Sequence, residues 1–222
     1  MKLAHSYSAL KQFDDCPQRY YRQRIVKDVV DTGGVASLYG DRIHKQIEAR
    51  LKDKTPLPEE SANLESICLS LEKSAGGGEM FLEKELVLNE ELQPTGWWDA
   101  DAWLRSKLDV LVVGKDKAIV IDWKTGKRRP DFFQMELFAV QVFKHYPGIN
   151  EVITSLVWLK DKAIDTERYT RDPDANRIWA DILAKIRRIH DAAEAEVWPA
   201  KPSWLCDYCP AQSSCAWARI MR

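Results

Sequence analysis

At 222 residues, 45% of them hydrophobic and nine of them tryptophan, the chain carries enough apolar surface for one substantial core, which excludes a disordered or low-complexity protein. Its 33 Lys and Arg against 34 Asp and Glu leave a net charge of −1, so the whole-molecule field gives no reason to expect nucleic acid, and any such argument must be local. The opening MKLAHSYSALKQFDDCP lacks a signal-peptide core and no run approaches the roughly 18 apolar residues that span a bilayer, so a cytoplasmic or nuclear protein without membrane contact is expected, in which five cysteines serve metal ligation, redox chemistry or packing rather than disulfides.

Ser6 or Ser8 can cap a short helix through Phe13, and Cys16-Pro17 then opens a second one, PQRYYRQRI. Val35 to Leu51 has helical apolar spacing, with Ile43, Ile47 and Leu51 on one face and His44 at its edge. Lys52 to Glu60 holds two prolines and reads as a loop; Asn63 to Ser74 reads as a helix stopped by Gly76-Gly77-Gly78. The period then changes. Glu79 to Leu88, Ala100 to Arg105, Lys107 to Val113 and Lys117 to Trp123 are short, rich in β-branched and aromatic residues and separated by turn signals. Phe132 to His145 is helical again, Val152 to Leu159 and Ala163 to Tyr169 supply further strand, and Asp174 to Glu196 is a long helix. One α/β domain over 1–222 is expected, with accessory helices in 1–34, a core of mixed central sheet flanked by helices in 35–200, and a cysteine segment in 201–222.

Within LDVLVVGKDKAIVIDWKTGK, Gly114-Lys115-Asp116 is a hairpin turn that pairs the strand of Asp109 with the strand of Asp122 and Lys124. Side chains alternate along a strand, so Asp122 and Lys124 share a face while Trp123 turns into packing. Two neighbouring carboxylates can hold one or two Mg²⁺ or Mn²⁺ ions, which polarise a phosphate oxygen and acidify water, and a lysine can orient that water or balance the developing charge. A D-x-K tripeptide is more often a solvated ion cluster. Here the preceding AIVI is buried in type, and a carboxylate ending such a strand is costly unless paired or metal-bound.

Cys206, Cys209 and Cys215 crowd the end of the chain, and their fourth partner is Cys16, far upstream. Four thiolates in this spacing suit tetrahedral zinc and an iron-sulfur cluster equally. On the loop-entropy scale for cross-links, such a clip stabilises the fold by about 5 kcal/mol at most. Cys68, in SICLSLE, reads as core. Lys127, Arg128 and Arg129 follow Lys124 directly, where a phosphate backbone would pass; Arg19, Arg22 and Arg24 interleave with Tyr20 and Tyr21, a composition that suits stacking on unpaired bases as well as a plain solvated face. Trp97 and Trp98 could stack bases too, and Glu85 on the strand FLEKELVL is a weaker site candidate.

These pieces, SYSALKQFDDCPQRYYRQRI, YGDRIH, KLDVLVV, VIDWKTGK, QMELFA and CDYCPAQSSC, in this order resemble the PD-(D/E)XK nucleases, specifically the RecB-like branch with its CRISPR-associated four-cysteine exonucleases. The resemblance covers nearly the whole chain. It implies a restriction-endonuclease-like core, with Asp109 and Asp122 as metal carboxylates, Lys124 as catalytic lysine, the Trp123 carbonyl and His44 as further metal ligands, and Gln134 as a supporting residue on the next helix. It also implies a four-iron four-sulfur cluster on Cys16, Cys206, Cys209 and Cys215, with structural Zn²⁺ as the alternative. One departure is Phe138, where the family usually has tyrosine. The implied activity is a Mg²⁺- or Mn²⁺-dependent DNA exonuclease acting on single strands or ends. It would act alone or with a helicase or a CRISPR or recombination component, since no helicase motif is present. Two other classes stay open: a DNA end-binding iron-sulfur module with little turnover, and an electron-transfer protein, which has no use for the carboxylates.

Overall fold

The computed structural model describes residues 3–219. Contacts divide the chain into two units, one built on Gly33–Trp179, the other on His5–Thr32 and the chain from Ala180 onward.

The first unit is a five-stranded mixed sheet in the order β1 (Glu79–Leu88), β2 (Leu104–Val113), β3 (Lys117–Lys124), β4 (Glu151–Trp158) and β5 (Ala163–Thr170). β1, β2 and β3 are antiparallel neighbours, β3 and β4 run parallel, and β5 returns antiparallel. A parallel pair cannot be joined by a hairpin, and helix α5 (Phe132–His145) makes the crossover. The sheet has two covered faces. On one, Ile43 and Ile47 of α3 (Val35–Asp53) and Cys68 and Leu71 of α4 (Glu65–Ala75) pack on Val110, Val112, Trp123 and Val157. Arg50 of α3, 8% exposed, ties the two helices through Glu65 and Glu72 at 2.9 and 3.0 Å. The other face is covered by α5, whose Met135, Leu137, Phe138 and Val140 are buried against the strands.

The separate strand expected at Ala100–Arg105 does not form. Asp99 to Ala102 turns, the Ala102 N–H donating to Asp99 O at 3.1 Å, and one continuous β2 starts at Leu104. Ser106, the apparent break, is 5% exposed inside that strand. No helix among the described residues is long and apolar enough to cross a membrane.

In the second unit α1 (Tyr7–Asp15) is capped by Ser6, whose Oγ accepts from the Ala9 N–H at 3.2 Å, a cap worth about 1 kcal/mol. α2 (Pro17–Tyr20) runs into a π-helical turn, Tyr21–Val26, ended by Lys27 in the left-handed region at φ 61°. Tyr20 and Tyr21, adjacent in sequence, both stack on Trp198, with centroids 5.9 and 5.2 Å away, and Phe13 meets Tyr20 edge-on at 5.6 Å. That arrangement corrects one expectation: Tyr20 is 1% exposed and its ring is spent inside the unit, so it cannot stack on a nucleobase. Helix α6 (Asp174–Glu194) carries the chain into this unit, where Lys185 and Arg188 hold Asp14, the latter at 2.8 Å.

His5, 1% exposed, has its Nε2 3.3 Å from His190 Nε2. Burial, and then the neighbouring His190, push its pKa down to about 4. The folded protein therefore resists a proton that the unfolded chain takes up below about pH 6.5, and the stability this confers is complete above that value. On the order of 3 kcal/mol is expected to disappear as pH falls from about 6.5 to 4. Urea midpoints at both ends of that window test this, and the loss should shrink in His5→Gln, whose amide takes up no proton.

Candidate active site

β2 and β3 pair from Val113↔Ala118 only as far as Val110↔Ile121, and there they part. β3 stays paired to β4 as far as Lys124↔Trp158, so the strand end is fixed on that side while its other edge opens. The Trp123 N–H, released from the ladder, donates instead to Asp109 Oδ2 at 2.7 Å. That bond draws the Asp109 carboxylate into the gap beside Asp122. Asp122 and Lys124 share the face opposite Trp123, where α5 begins, and Asp131 caps α5 by accepting from the Phe133 N–H at 3.3 Å. Gln134, in the first turn, then reaches both: its Nε2 donates to Asp122 Oδ1 at 2.8 Å and its Oε1 accepts from Lys124 Nζ at 2.8 Å. Lys124 Nζ also lies 2.6 Å from Asp122 Oδ2.

His44 closes the group from the α3 side, its Nε2 3.0 Å from the Trp123 carbonyl oxygen and its Nδ1 3.4 Å from Asp109 Oδ1. Both neighbours only accept, so the doubly protonated imidazolium satisfies both at once. α3 can come this near because Gly40 stands one turn before His44; a Cβ there would lie 3.0 Å from Thr125 Oγ1, just past Lys124.

Charge is graded across the site. The Asp122 side chain is 8% exposed and that of Asp109 15%, while Lys124 and His44 are at 30% and 28%. Burial first, and the Asp109 charge second, push the Asp122 carboxyl up to about 6 against the opposing pull of Lys124 and His44. Burial alone would lower the His44 pKa, but the Asp109 hydrogen bond and the charges of Asp109 and Asp122 outweigh it and raise it. Asp122 Oδ2 is buried and, despite the nearby ammonium, makes no hydrogen bond of good geometry. Such an oxygen beside a second carboxylate and a backbone carbonyl fits a hard divalent cation, which takes oxygen ligands. Among the described residues no three His, Cys, Asp or Glu side chains are grouped tightly enough to hold a metal ion by themselves.

The remaining candidates fall into place differently. Cys16, Cys206, Cys209 and Cys215 line one cavity of the second unit. There the Lys201 and Ser203 N–H groups point at Cys16 Sγ and Cys206 Sγ at 3.5 and 3.4 Å. Cys68 is fully buried in the core, Glu85 is exposed and Phe138 is 3% exposed. Arg128, expected on a free basic stretch, is bound by Asp165, with Nε to Oδ2 at 2.9 Å, and the Trp158 Nε1–H shares that oxygen at 2.7 Å. Lys127 is exposed and has no ion-pair partner among the described residues. Arg19 pairs with Asp31 at 3.1 Å and Arg22 with Asp28 at 2.7 Å. Trp97 lies under the Arg105 guanidinium, and Trp98 is 86% exposed. Sequence reasoning missed Asp165 and Thr125: each meets its partner across the fold, and no local pattern marks either.

A sequence profile of the PD-(D/E)XK nuclease superfamily matches residues 4–216. Among solved structures, a candidate exonuclease from Eubacterium rectale is 15% identical with a TM-score of 0.57, covering 93% of this chain and 86% of that one. The protein SSO0001 is 14% identical with a TM-score of 0.44, over 98% of this chain and 88% of that one. No curated protein matches significantly.

Proposed function

The chain belongs to the PD-(D/E)XK nuclease superfamily, and from that premise we propose that it is a Mg²⁺- or Mn²⁺-dependent exonuclease of single-stranded DNA or DNA ends. The observation that supports this most is the joined set at the parting of β2 and β3, where Asp109, Asp122 and Lys124 are held together by the Trp123 amide and by Gln134. Asp109, Asp122 and the Trp123 carbonyl would hold the cation, with His44 as a further ligand once it gives up a proton. Bound there, a divalent cation polarises a phosphate oxygen and acidifies water. The chain's own groups do the rest. Lys124, at the more exposed edge, presents an ammonium that can hold the attacking water or balance charge on the phosphate. Gln134 fixes that ammonium and one oxygen of Asp122, whose other oxygen faces the Lys124 ammonium at 2.6 Å. Lys127, exposed and unpaired just beyond Lys124, is placed for a backbone phosphate; Arg128, already neutralised by Asp165, contributes less than its charge suggests.

Gln134→Ala is expected to slow cleavage roughly 10- to 100-fold while leaving strand affinity within a few-fold, since it loosens two catalytic groups without removing either. Single-turnover rates against equilibrium binding measure the two separately. End dependence tests the exonuclease part: with Mn²⁺, linear end-labelled single strands should shorten while circular single strands persist. Equal loss of both would make the protein an endonuclease.

Cys16, Cys206, Cys209 and Cys215 are proposed to carry a four-iron four-sulfur cluster as a structural clip. The support is that the four line one cavity and that two backbone amides face their sulfurs. The same four thiolates would serve structural zinc, which takes tetrahedral sulfur ligands, so metal analysis decides between the two. A DNA end-binding module with little turnover is the second reading, and the intact Asp109, Asp122 and Lys124 weigh against it. A helicase or a recombination or CRISPR component is the partner such a nuclease would recruit.

A further inference from the structure

The second unit contains a cleft of about 620 Å³, in the size range of ligand sites, walled by α1 and by the segment from α2 to Asp31. Its chemistry is unusual in one respect. Arg24 donates from Nε to Gln12 Oε1 at 2.5 Å and from Nη2 to Ser8 Oγ at 3.3 Å, and it has no carboxylate partner among the described residues. The Gln12 amide donates in turn to Gln23 Oε1, which also accepts from Arg19 Nε at 3.0 Å. Two glutamines therefore lock two guanidinium groups in place, and an amide oxygen orients an arginine without cancelling its charge. Arg22, on the same turn of chain, is neutralised by Asp28 at 2.7 Å. Lys27 lines the cleft with no ion-pair partner among the described residues. Against these, Asp31 is engaged by Arg19 at 3.1 Å, and Asp15 is the other carboxylate in the wall. The balance is positive, and the fixed guanidinium fork of Arg24 matches a phosphate.

We propose that this cleft is a phosphate-binding site, separate from the carboxylate centre, that takes the backbone of the strand being processed. The assignment rests on the nuclease reading for the identity of the phosphate. Backbone contacts position a strand without reading its sequence, so the site would hold any sequence and be strongly salt-dependent.

The test uses anisotropy of a fluorescein-labelled oligothymidylate in EDTA, with wild-type protein and the Arg24→Gln/Lys27→Gln double variant. Alongside it runs Mn²⁺-dependent hydrolysis of bis(p-nitrophenyl) phosphate, a diester small enough to need only the carboxylate centre. The double variant should bind about tenfold more weakly at low salt, with a slope of log affinity against log salt smaller by about 1 to 1.5, and hydrolyse the small diester at the wild-type rate. Lys27→Gln alone, at an exposed residue, should show a smaller loss in the same direction with unchanged thermal stability. Inorganic phosphate and thymidine monophosphate as competitors identify the source: weak competition by both supports the strand backbone. Tight competition by the monophosphate supports the anion site but assigns it to released product. Unchanged affinity and slope in the double variant would overturn the cleft and leave the nuclease standing. A wild-type protein that neither binds strand nor hydrolyses the diester would overturn both.

Discussion

Alanine at Asp109, Asp122 or Lys124 is expected to abolish cleavage, each lowering the rate by about a thousandfold or more, with the three combined costing little beyond the first. The reason is the way the groups are tied. Asp109 accepts from the Trp123 amide and faces His44, while Asp122 is bound through Gln134 to Lys124, so removing one member leaves the others wrongly charged or wrongly aimed. Asp122→Ala also strips Lys124 of the carboxylate 2.6 Å away, and Lys124→Ala strips Asp122 of that same partner at a residue 6% exposed. Folding should survive all three, because the face that packs on α3 and α4 is built by Trp123, Val110 and Val112 rather than by these side chains. DNA binding should largely persist if, as proposed, most backbone phosphates are held by cations outside the trio such as Lys127. Activity of Asp122→Ala within about tenfold of wild type would remove the assignment.

The second large effect is expected at the cysteines. Protein purified without oxygen should be brown, with broad absorbance at about 400 nm, and Cys16→Ala should bleach it as fully as Cys209→Ala. The same substitutions should cost the second unit up to about 5 kcal/mol, the scale for losing a long-range cross-link. Cys68→Ala should keep the colour and lose stability only through packing, since its side chain is fully buried in the α3–α4 core. Colourless protein carrying stoichiometric zinc would replace the cluster with a zinc clip and leave the nuclease claim intact.

Local pattern made the strands legible. β1 and α5 start and stop where periodicity and turn residues say they should, and the Gly114 turn by itself sets the strand of Asp109 beside that of Asp122. What the pattern hid depends on tertiary partners. Ser106 reads as a break because it is polar, yet it sits buried in an unbroken β2, where the alternation of faces outweighs residue type. The π turn at Tyr21–Val26 has no sequence signal; it goes with two adjacent tyrosines stacking on Trp198, far along the chain. The basic residues are the sharpest case. Arg22, Arg24 and Arg128 look alike in sequence, and only the fold shows that Asp28 and Asp165 neutralise two of them while Gln12 and Ser8 leave the third charged.

Asp109, Asp122 and Lys124 are proposed to form one cation-dependent phosphodiesterase centre. Its most direct test is incubation of end-labelled single-stranded DNA with the purified protein in Mn²⁺ and, in parallel, in EDTA. Progressive shortening of the strand in Mn²⁺, absent in EDTA and absent with Lys124→Ala protein in Mn²⁺, is the predicted result. DNA left intact in Mn²⁺, or cut equally in EDTA or by the Lys124→Ala protein, would contradict it.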